Sequence, residues 1–232
     1  AKQLINLGVV HSDLGQYEDA QREYEEAVAL AETLQDEGLR ARVLYSLGRV
    51  YRDTAQYELA LEVLQEALAI QQRLGDQSAE AAILNNLGAI YLNLLQHEKA
   101  IEPFQRAVAA AEATRDGSAA GEAYAGMGLA YESQGQLEQA IDNYQKAITA
   151  AGAQPLNLET YQRLIKLLWD AGRLGDVFTF MEKALAQTFL DGDGNPWINI
   201  HSKLAPELAE QEQSLRRELF GLRSAIAGEM DK

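Results

Sequence analysis

The sequence repeats itself every forty residues. Gly8, Gly48, Gly88 and Gly128 stand at that interval, as do Ala20, Ala60, Ala100 and Ala140, and again Ala27, Ala67, Ala107 and Ala147. On the same register Leu4, Leu44, Leu84 and Tyr124 form one large apolar column, and Leu7, Leu47, Leu87 and Met127 form another. Tyr51, Tyr91 and Tyr131 make an aromatic column in which the first copy carries His11. A period of this length marks a chain of stacked supersecondary units, each of which buries its apolar face against its neighbours.

Each unit reads as two amphipathic helices. In the second unit Val43, Leu44, Leu47, Val50 and Tyr51 recur at helical spacing, and Leu61, Leu64, Ala67, Leu68 and Leu74 do so after a break at Thr54-Ala55-Gln56. Gly48, Ala60 and Ala67 are expected to let the two backbones approach, with Leu47, Tyr51 and Leu64 filling the space beside them. Leu14-Gly15-Gln16 and Gln134-Gly135-Gln136 place a glycine where a helix must stop. Between units, Gly75-Asp76-Gln77-Ser78 and Arg115-Asp116-Gly117-Ser118 predict a glycine followed by a capping serine.

The run Leu44, Leu47, Gly48, Tyr51, Ala60, Leu64, Ala67, and its copy Leu84, Leu87, Gly88, Tyr91, Ala100, Phe104, Ala107, resembles the signature of the tetratricopeptide repeat (TPR). The usual repeat is about 34 residues; the forty-residue form resembles the long-repeat subgroup, with lengthened helices. The resemblance covers residues 1–151 as four repeats. It implies an all-α, right-handed superhelical solenoid of helix-turn-helix units. A degenerate fifth repeat is expected over residues 155–190, because Gly172 and Ala184 each stand 37 residues after Gly135 and Ala147. Such departures suit a terminal repeat.

Beyond it, residues 191–203 read as a turn-rich linker and residues 204–228 as an amphipathic helix with Leu208, Leu215, Leu219, Leu222 and Ile226 in one stripe. That helix suits a cap or linker better than a coiled coil, since it holds fewer than four heptads. Asp191, Asp193 and Asn195 have the spacing of a calcium loop. Pro196 and Ser202 stand where such a loop needs glycine and a bidentate glutamate, so a plain loop is the reading. A second resemblance runs from Met181-Glu182-Lys183-Ala184 through Phe189-Leu190-Asp191 to Pro206-Glu207-Leu208-Ala209 and Leu215-Arg216. It is to the TPR region of CHAT-domain (caspase-like) proteins, although Ala184 to Thr188 lack that family's serine–arginine pair.

Charge and composition narrow the function. With 35 acidic against 20 basic residues and a net charge of −15, the surface repels nucleic acid and anionic membranes, a local basic patch aside. The absence of cysteine removes disulfides, thiolate metal sites and a cysteine nucleophile. No apolar run reaches the roughly 18 residues that span a bilayer. His11 and His97 fall in packing columns and His201 has no nearby partner in sequence, so neither a catalytic centre, a metal nor a cofactor is expected. The chain opens on Ala1 inside a helical pattern and reads as a piece of a longer, cytoplasmic protein.

What the resemblance implies for function is a concave groove lined by first-helix side chains that packing leaves free. It places Asn6 and Asp13 there from the first repeat, Arg42, Tyr45, Arg49 and Arg52 from the second, Asn85, Asn86, Leu92 and Asn93 from the third, and Glu122 and Leu129 from the fourth. Arg42, Tyr45, Arg49 and Arg52 recur at three, four and three residues and share one stripe. Arginines on one stripe call for an acidic group, either the chain's own Asp53 or one brought by a ligand. Asparagines can bond a guest backbone, and Ala89, Leu92, Ala125 and Leu129 offer an apolar floor. The expected function is a scaffold binding a partner peptide or helix that has an acidic residue and an apolar face. The alternatives are the sensor region of a larger CHAT-type protease and a self-assembling structural solenoid.

Overall fold

The computed structural model describes residues 2–152, 154 and 156–190, with side chains to Ala184. The expectations for the linker, the C-terminal helix, the calcium-like spacing and His201 lie outside the described residues. Ten helices and no strand occur among those described: α1 (Lys2–Asp13), α2 (Tyr17–Thr33), α3 (Glu37–Asp53), α4 (Tyr57–Leu74), α5 (Gln77–Asn93), α6 (His97–Thr114), α7 (Gly117–Ser133), α8 (Leu137–Ala151), α9 (Leu158–Asp170) and α10 (Leu174–Leu190). The chain divides into two compact units, Ala1–Thr160 and Tyr161–Lys232.

In the first unit consecutive helices pack as hairpins that stack on one another. The first helices of successive hairpins also meet, α1 with α3, α3 with α5 and α5 with α7, and so form one layer. One large apolar cluster runs through the stack from Ile5 to Met127, and a smaller one gathers Ala81, Ala110, Ala111 and Ala120. This is the all-α solenoid that the forty-residue period requires. α9 and α10 occupy the segment read as a fifth repeat, joined by a turn in which Gly172 has φ 72°.

The repeated spacing has a steric cause that differs in one respect from expectation. A Cβ on Gly48 would lie 2.5 Å from Leu64 Cγ, and one on Gly8, Gly88 or Gly128 would lie 2.6 Å from a ring atom of Tyr24, Phe104 or Tyr144. The glycine is thus a socket for the large side chain of the second helix, so Leu64 sits on Gly48 and not beside it. Phe104 also lies against Gly126 on α7, which locks the third hairpin to the fourth. The alanine columns at 20, 60, 100, 140 and 27, 67, 107, 147 are fully buried. Leu7 departs from its column, being 47% exposed where Leu47, Leu87 and Met127 are 4–5% exposed, because those three rest on the preceding hairpin.

The turns follow two forms. Each helix pair closes with a left-handed residue at Gly15, Ala55, Leu95 or Gly135, and each following amide (Gln16, Gln56, Gln96, Gln136) bonds a carbonyl five residues back at 2.7–2.9 Å. Between hairpins the left-handed residue is Gln35, Gly75 or Arg115. The expected serine caps are corrected here. Asp36, Asp76 and Asp116 accept from the amides of Leu39, Ala79 and Ala119 at 2.9–3.0 Å, whereas Ser78 and Ser118 already lie inside the helix. Gly117 likewise is helical, and Arg115 takes the turn.

Candidate functional site

The layer of first helices carries every residue expected to line the groove, and cross-helix contacts fix which way the stripe faces. On α3, Arg52 Nη1 donates to Asn86 Oδ1 of α5. Asn86 Nδ2 in turn donates to its own helix at Ala82 O (2.9 Å) and toward Tyr45 Oη (3.4 Å). On α5, Asn85 Nδ2 donates to Ala119 O at the start of α7, 3.0 Å away. Tyr45, Arg52, Asn85 and Asn86 therefore stand where first helices meet, and helical spacing puts Arg42 and Arg49 on that side. Leu92 and Leu129 are half-buried on the same layer; Asn6, Asp13 and Asn93 are exposed on it.

The arginine stripe divides into two kinds. Arg52 is held by Asp53, which accepts from Nε at 3.0 Å and Nη2 at 2.8 Å, as well as by Asn86. Arg22, Arg40, Arg73, Arg106 and Arg173 also hold carboxylates. Arg42 and Arg49 are exposed and hold none among the described residues. Arg49 does act at longer range, favouring ionisation of Tyr24, whose hydroxyl is pushed up chiefly by burial.

Arg42 and Tyr45 line a cavity of about 490 Å³ with Gly38 of α3, Gln71 and Leu74 of α4, Asp76, and Ala79, Ala82 and Ile83 of α5. Gln71 is a lining residue that the groove expectation missed. Its signal lay in the columns, because the same position is alanine in the other copies (Ala31, Ala111, Ala151). Its burial at 7% exposure puts a polar amide at the edge of the core.

Glu122 occupies α7 with no cation within ion-pair distance among the described residues. Its carboxyl is held above the ordinary range, first by loss of surrounding water and then by the Asp116 carboxylate, while the Asn85 amide and Arg52 pull the other way. The side chain is still open to solvent. A wall of protein atoms crowds it without sealing it, which is what a concave surface does to a charge.

Other polar groups serve the architecture. His11 Nδ1 lies 2.9 Å from Glu23 Oε2, and Tyr51 Oη donates to Glu25 Oε1 of the preceding hairpin at 3.0 Å. Arg40 bridges Glu32 and Glu66. Glu23, Glu25 and Glu66 thus belong to contacts between helices as well as to an acidic face. Burial raises the Tyr51 hydroxyl to about 12, with the Glu25 hydrogen bond adding to it. Among the described residues no group of three or more histidines and acidic residues could hold a metal ion, and no helix is long and apolar enough to cross a membrane.

The chain matches the tetratricopeptide repeat model over residues 2–73 and 79–153. Solved structures similar to it include BtubC (BKLC) from P. vanneervenii, 20% identical with a TM-score of 0.70, over 84% of this chain and 81% of that one. MamA from Desulfovibrio magneticus RS-1 is 21% identical with a TM-score of 0.59, over 81% of this chain and 94% of that one. Aspartyl phosphate phosphatase F from Bacillus subtilis is 19% identical with a TM-score of 0.72, over 96% of this chain and 59% of that one. At these identities the likeness is one of fold. No curated protein matches the sequence significantly. With four hairpins stacked on a forty-residue period and a family match running through all of them, the chain belongs to the tetratricopeptide repeat family, whose fold is a general scaffold for protein–protein interaction.

Proposed function

We propose that the protein binds a partner peptide or helix against its first-helix layer, with an acidic residue of the partner placed on Arg42 and Arg49 and an apolar face against Ala82, Ala89, Leu92 and Leu129. One observation carries this reading. In a chain of net charge −15, Arg22, Arg40, Arg52, Arg73, Arg106 and Arg173 are each matched by a carboxylate, whereas among the described residues Arg42 and Arg49 on the groove stripe, and Arg115 in the turn after α6, are not. Guanidinium groups left open beside Tyr45 and a cavity suit bidentate capture of an incoming carboxylate. Arg52, held by Asp53 and Asn86, serves as the wall of this site. Of the two acidic groups expected for the stripe, Arg52 takes the chain's own Asp53, and the ligand's is assigned to Arg42 and Arg49.

The test is selection of peptides from a displayed random library on the purified chain, followed by affinity measurement with Arg42→Glu/Arg49→Glu. Selected peptides carry an acidic residue and lose about ten-fold or more in affinity on the double variant, while Tm stays within a few degrees because neither arginine holds anything in the fold. Equal affinity on the variant removes the proposal.

A second reading, self-assembly, is favoured by the exposed Leu7 and Val10 on α1. They share one face and occupy positions that are buried in the later hairpins, so a second copy is a fitting occupant. A light-scattering mass that rises with concentration supports it, and a strictly monomeric mass removes it.

A further inference from the structure

The cavity beside Arg42 and Tyr45 holds a polar group that the fold does not use. Gln71 is 7% exposed, and its side-chain amide makes no hydrogen bond among the described residues. Asn85, Asn86 and Asn143, at 7–8% exposure, behave otherwise, since each donates to a backbone carbonyl. Nor is the Gln71 amide walled in, as the unpartnered Asn85 Oδ1 is. It stands in the lining of the cavity, withdrawn from bulk water and with no partner, which is unfavourable for an amide.

Two departures from the repeat make this place. Position 71 is alanine in the other copies, Ala31, Ala111 and Ala151, all buried at 0–5% exposure. Position 38 is serine in the two copies that follow, Ser78 and Ser118. A Cβ on Gly38 would meet nothing nearer than 3.7 Å, with Leu74 Cδ1 at 4.0 Å, so the missing side chain leaves space open at the cavity wall. The second repeat thus gains an amide where the others have a methyl group, and loses a side chain beside the same cavity. Leu74, Ile83 and the ring of Tyr45 supply apolar walls, and the exposed Arg42 stands at the mouth.

We infer that this cavity is a side-chain pocket for the bound segment, and that its occupant is a carboxamide, a glutamine or asparagine close in sequence to the acidic residue on Arg42. This rests on the binding reading above and names the residue that enters beside the charged one. The Gln71 amide offers both a donor and an acceptor. A carboxamide facing it answers both: Gln71 Nε2 donates to the incoming oxygen, and the incoming nitrogen donates to Gln71 Oε1. A carboxylate would leave Oε1 without a donor, an ammonium would leave Nε2 without an acceptor, and an aliphatic tip would leave both unmet. The methylene stem of the occupant lies against Leu74 and Ile83. A space of about 490 Å³ falls within the range of ligand-holding pockets, about 300–1,000 Å³, and takes such a side chain with its adjoining main chain.

The experiment uses the tightest synthetic peptide from the library selection, labelled with a fluorophore. Anisotropy reads its affinity for the full chain, Gln71→Met, Gln71→Ala and Arg42→Glu/Arg49→Glu. Methionine keeps the length of glutamine without its hydrogen bonds, and alanine is the residue that the other three copies carry. Replacing the peptide's glutamine or asparagine by leucine weakens binding to the parent chain about ten-fold, as loss of two neutral hydrogen bonds would. The same replacement has no further effect on either Gln71 variant, which is the coupling a direct contact produces. Gln71→Met melts no lower than the parent, because the amide holds nothing in the fold; a clearly lower Tm would make it a structural group and overturn the pocket. If the peptide needs no carboxamide, or if its replacement acts equally on all the proteins, the pocket assignment is wrong. Should Arg42→Glu/Arg49→Glu still abolish binding in that case, the groove reading survives by itself. A library that yields no peptide sensitive to either change overturns both.

Discussion

The seam between paired helices and the face of the first-helix layer share the same four first helices, yet they treat the repeat in opposite ways. At the seam every copy obeys it: a glycine on the first helix, a Tyr, Leu or Phe seated on it, and alanines on the second helix that allow the approach. On the face the copies diverge, so that one position reads Arg42, Ala82, Glu122 and another Arg49, Ala89, Leu129. The seam is constrained by close packing, where one added carbon has nowhere to go. The face is constrained by whatever meets it. In a repeat protein the positions that break the period are therefore where recognition is to be sought.

The contrast can be broken in measurable steps. Gly88→Leu strikes the seam where Phe104 fills the socket, and overpacking there is expected to cost on the order of 3 kcal/mol. Thermal unfolding followed by circular dichroism should show a large loss, part of which is regained when Phe104→Ala is added. A loss unaffected by the second change would mean that Phe104 is not what occupies the socket.

Within the stripe, Arg52→Ala should destabilise by about 1 kcal/mol through loss of its bonds to Asn86 and Asp53, whereas Arg42→Ala should leave urea unfolding unchanged. Equal effects would erase the distinction between a structural and a free arginine. Among the turns, Leu95 is 76% exposed and sits at φ 58°, a conformation that costs a non-glycine residue about 1 kcal/mol. Leu95→Gly should recover about half of that or more as a higher Tm.

The smallest effect is electrostatic. Because the Glu122 carboxyl is raised in the folded chain, its contribution to stability is present below the ordinary glutamate value of 4.5 and is lost as pH rises through the folded value. At pH 7 the ionised group is thus a burden. Glu122→Gln should melt slightly higher than the parent at pH 7, and the advantage should vanish near pH 4. A variant that melts lower at pH 7 would show that the carboxylate is held favourably and would remove the strain attributed to it.

Much of this was legible in the residues before any coordinates. The glycine, alanine and tyrosine columns announce helical hairpins because identity at a fixed interval has few other physical causes; of the first-helix positions left over, Asn85 and Asn86 are buried between helices and not free as expected. Three things were not legible. Which turn residue goes left-handed is set by the geometry of two packed helices, so Ala55, Leu95, Gln35 and Arg115 adopt it where glycine would be the chemical choice. The capping role passed to Asp76 and Asp116 because they stand one position before the helix and Ser78 and Ser118 stand within it. The division among the arginines depends on Asn86, 34 residues from Arg52 and near it only once α3 and α5 pack.

The central claim, that the face of the first helices is where a partner lies, is met most directly by nuclear magnetic resonance of the isotopically labelled chain titrated with the selected peptide. Shifts should concentrate on the side-chain signals of Arg42, Arg49 and Asn85 and on the ring of Tyr45, with the second helices α2, α4 and α6 nearly unmoved. Shifts gathered on Glu62, Glu98 or Lys99 of those second helices, with Arg42 and Arg49 silent, would contradict it.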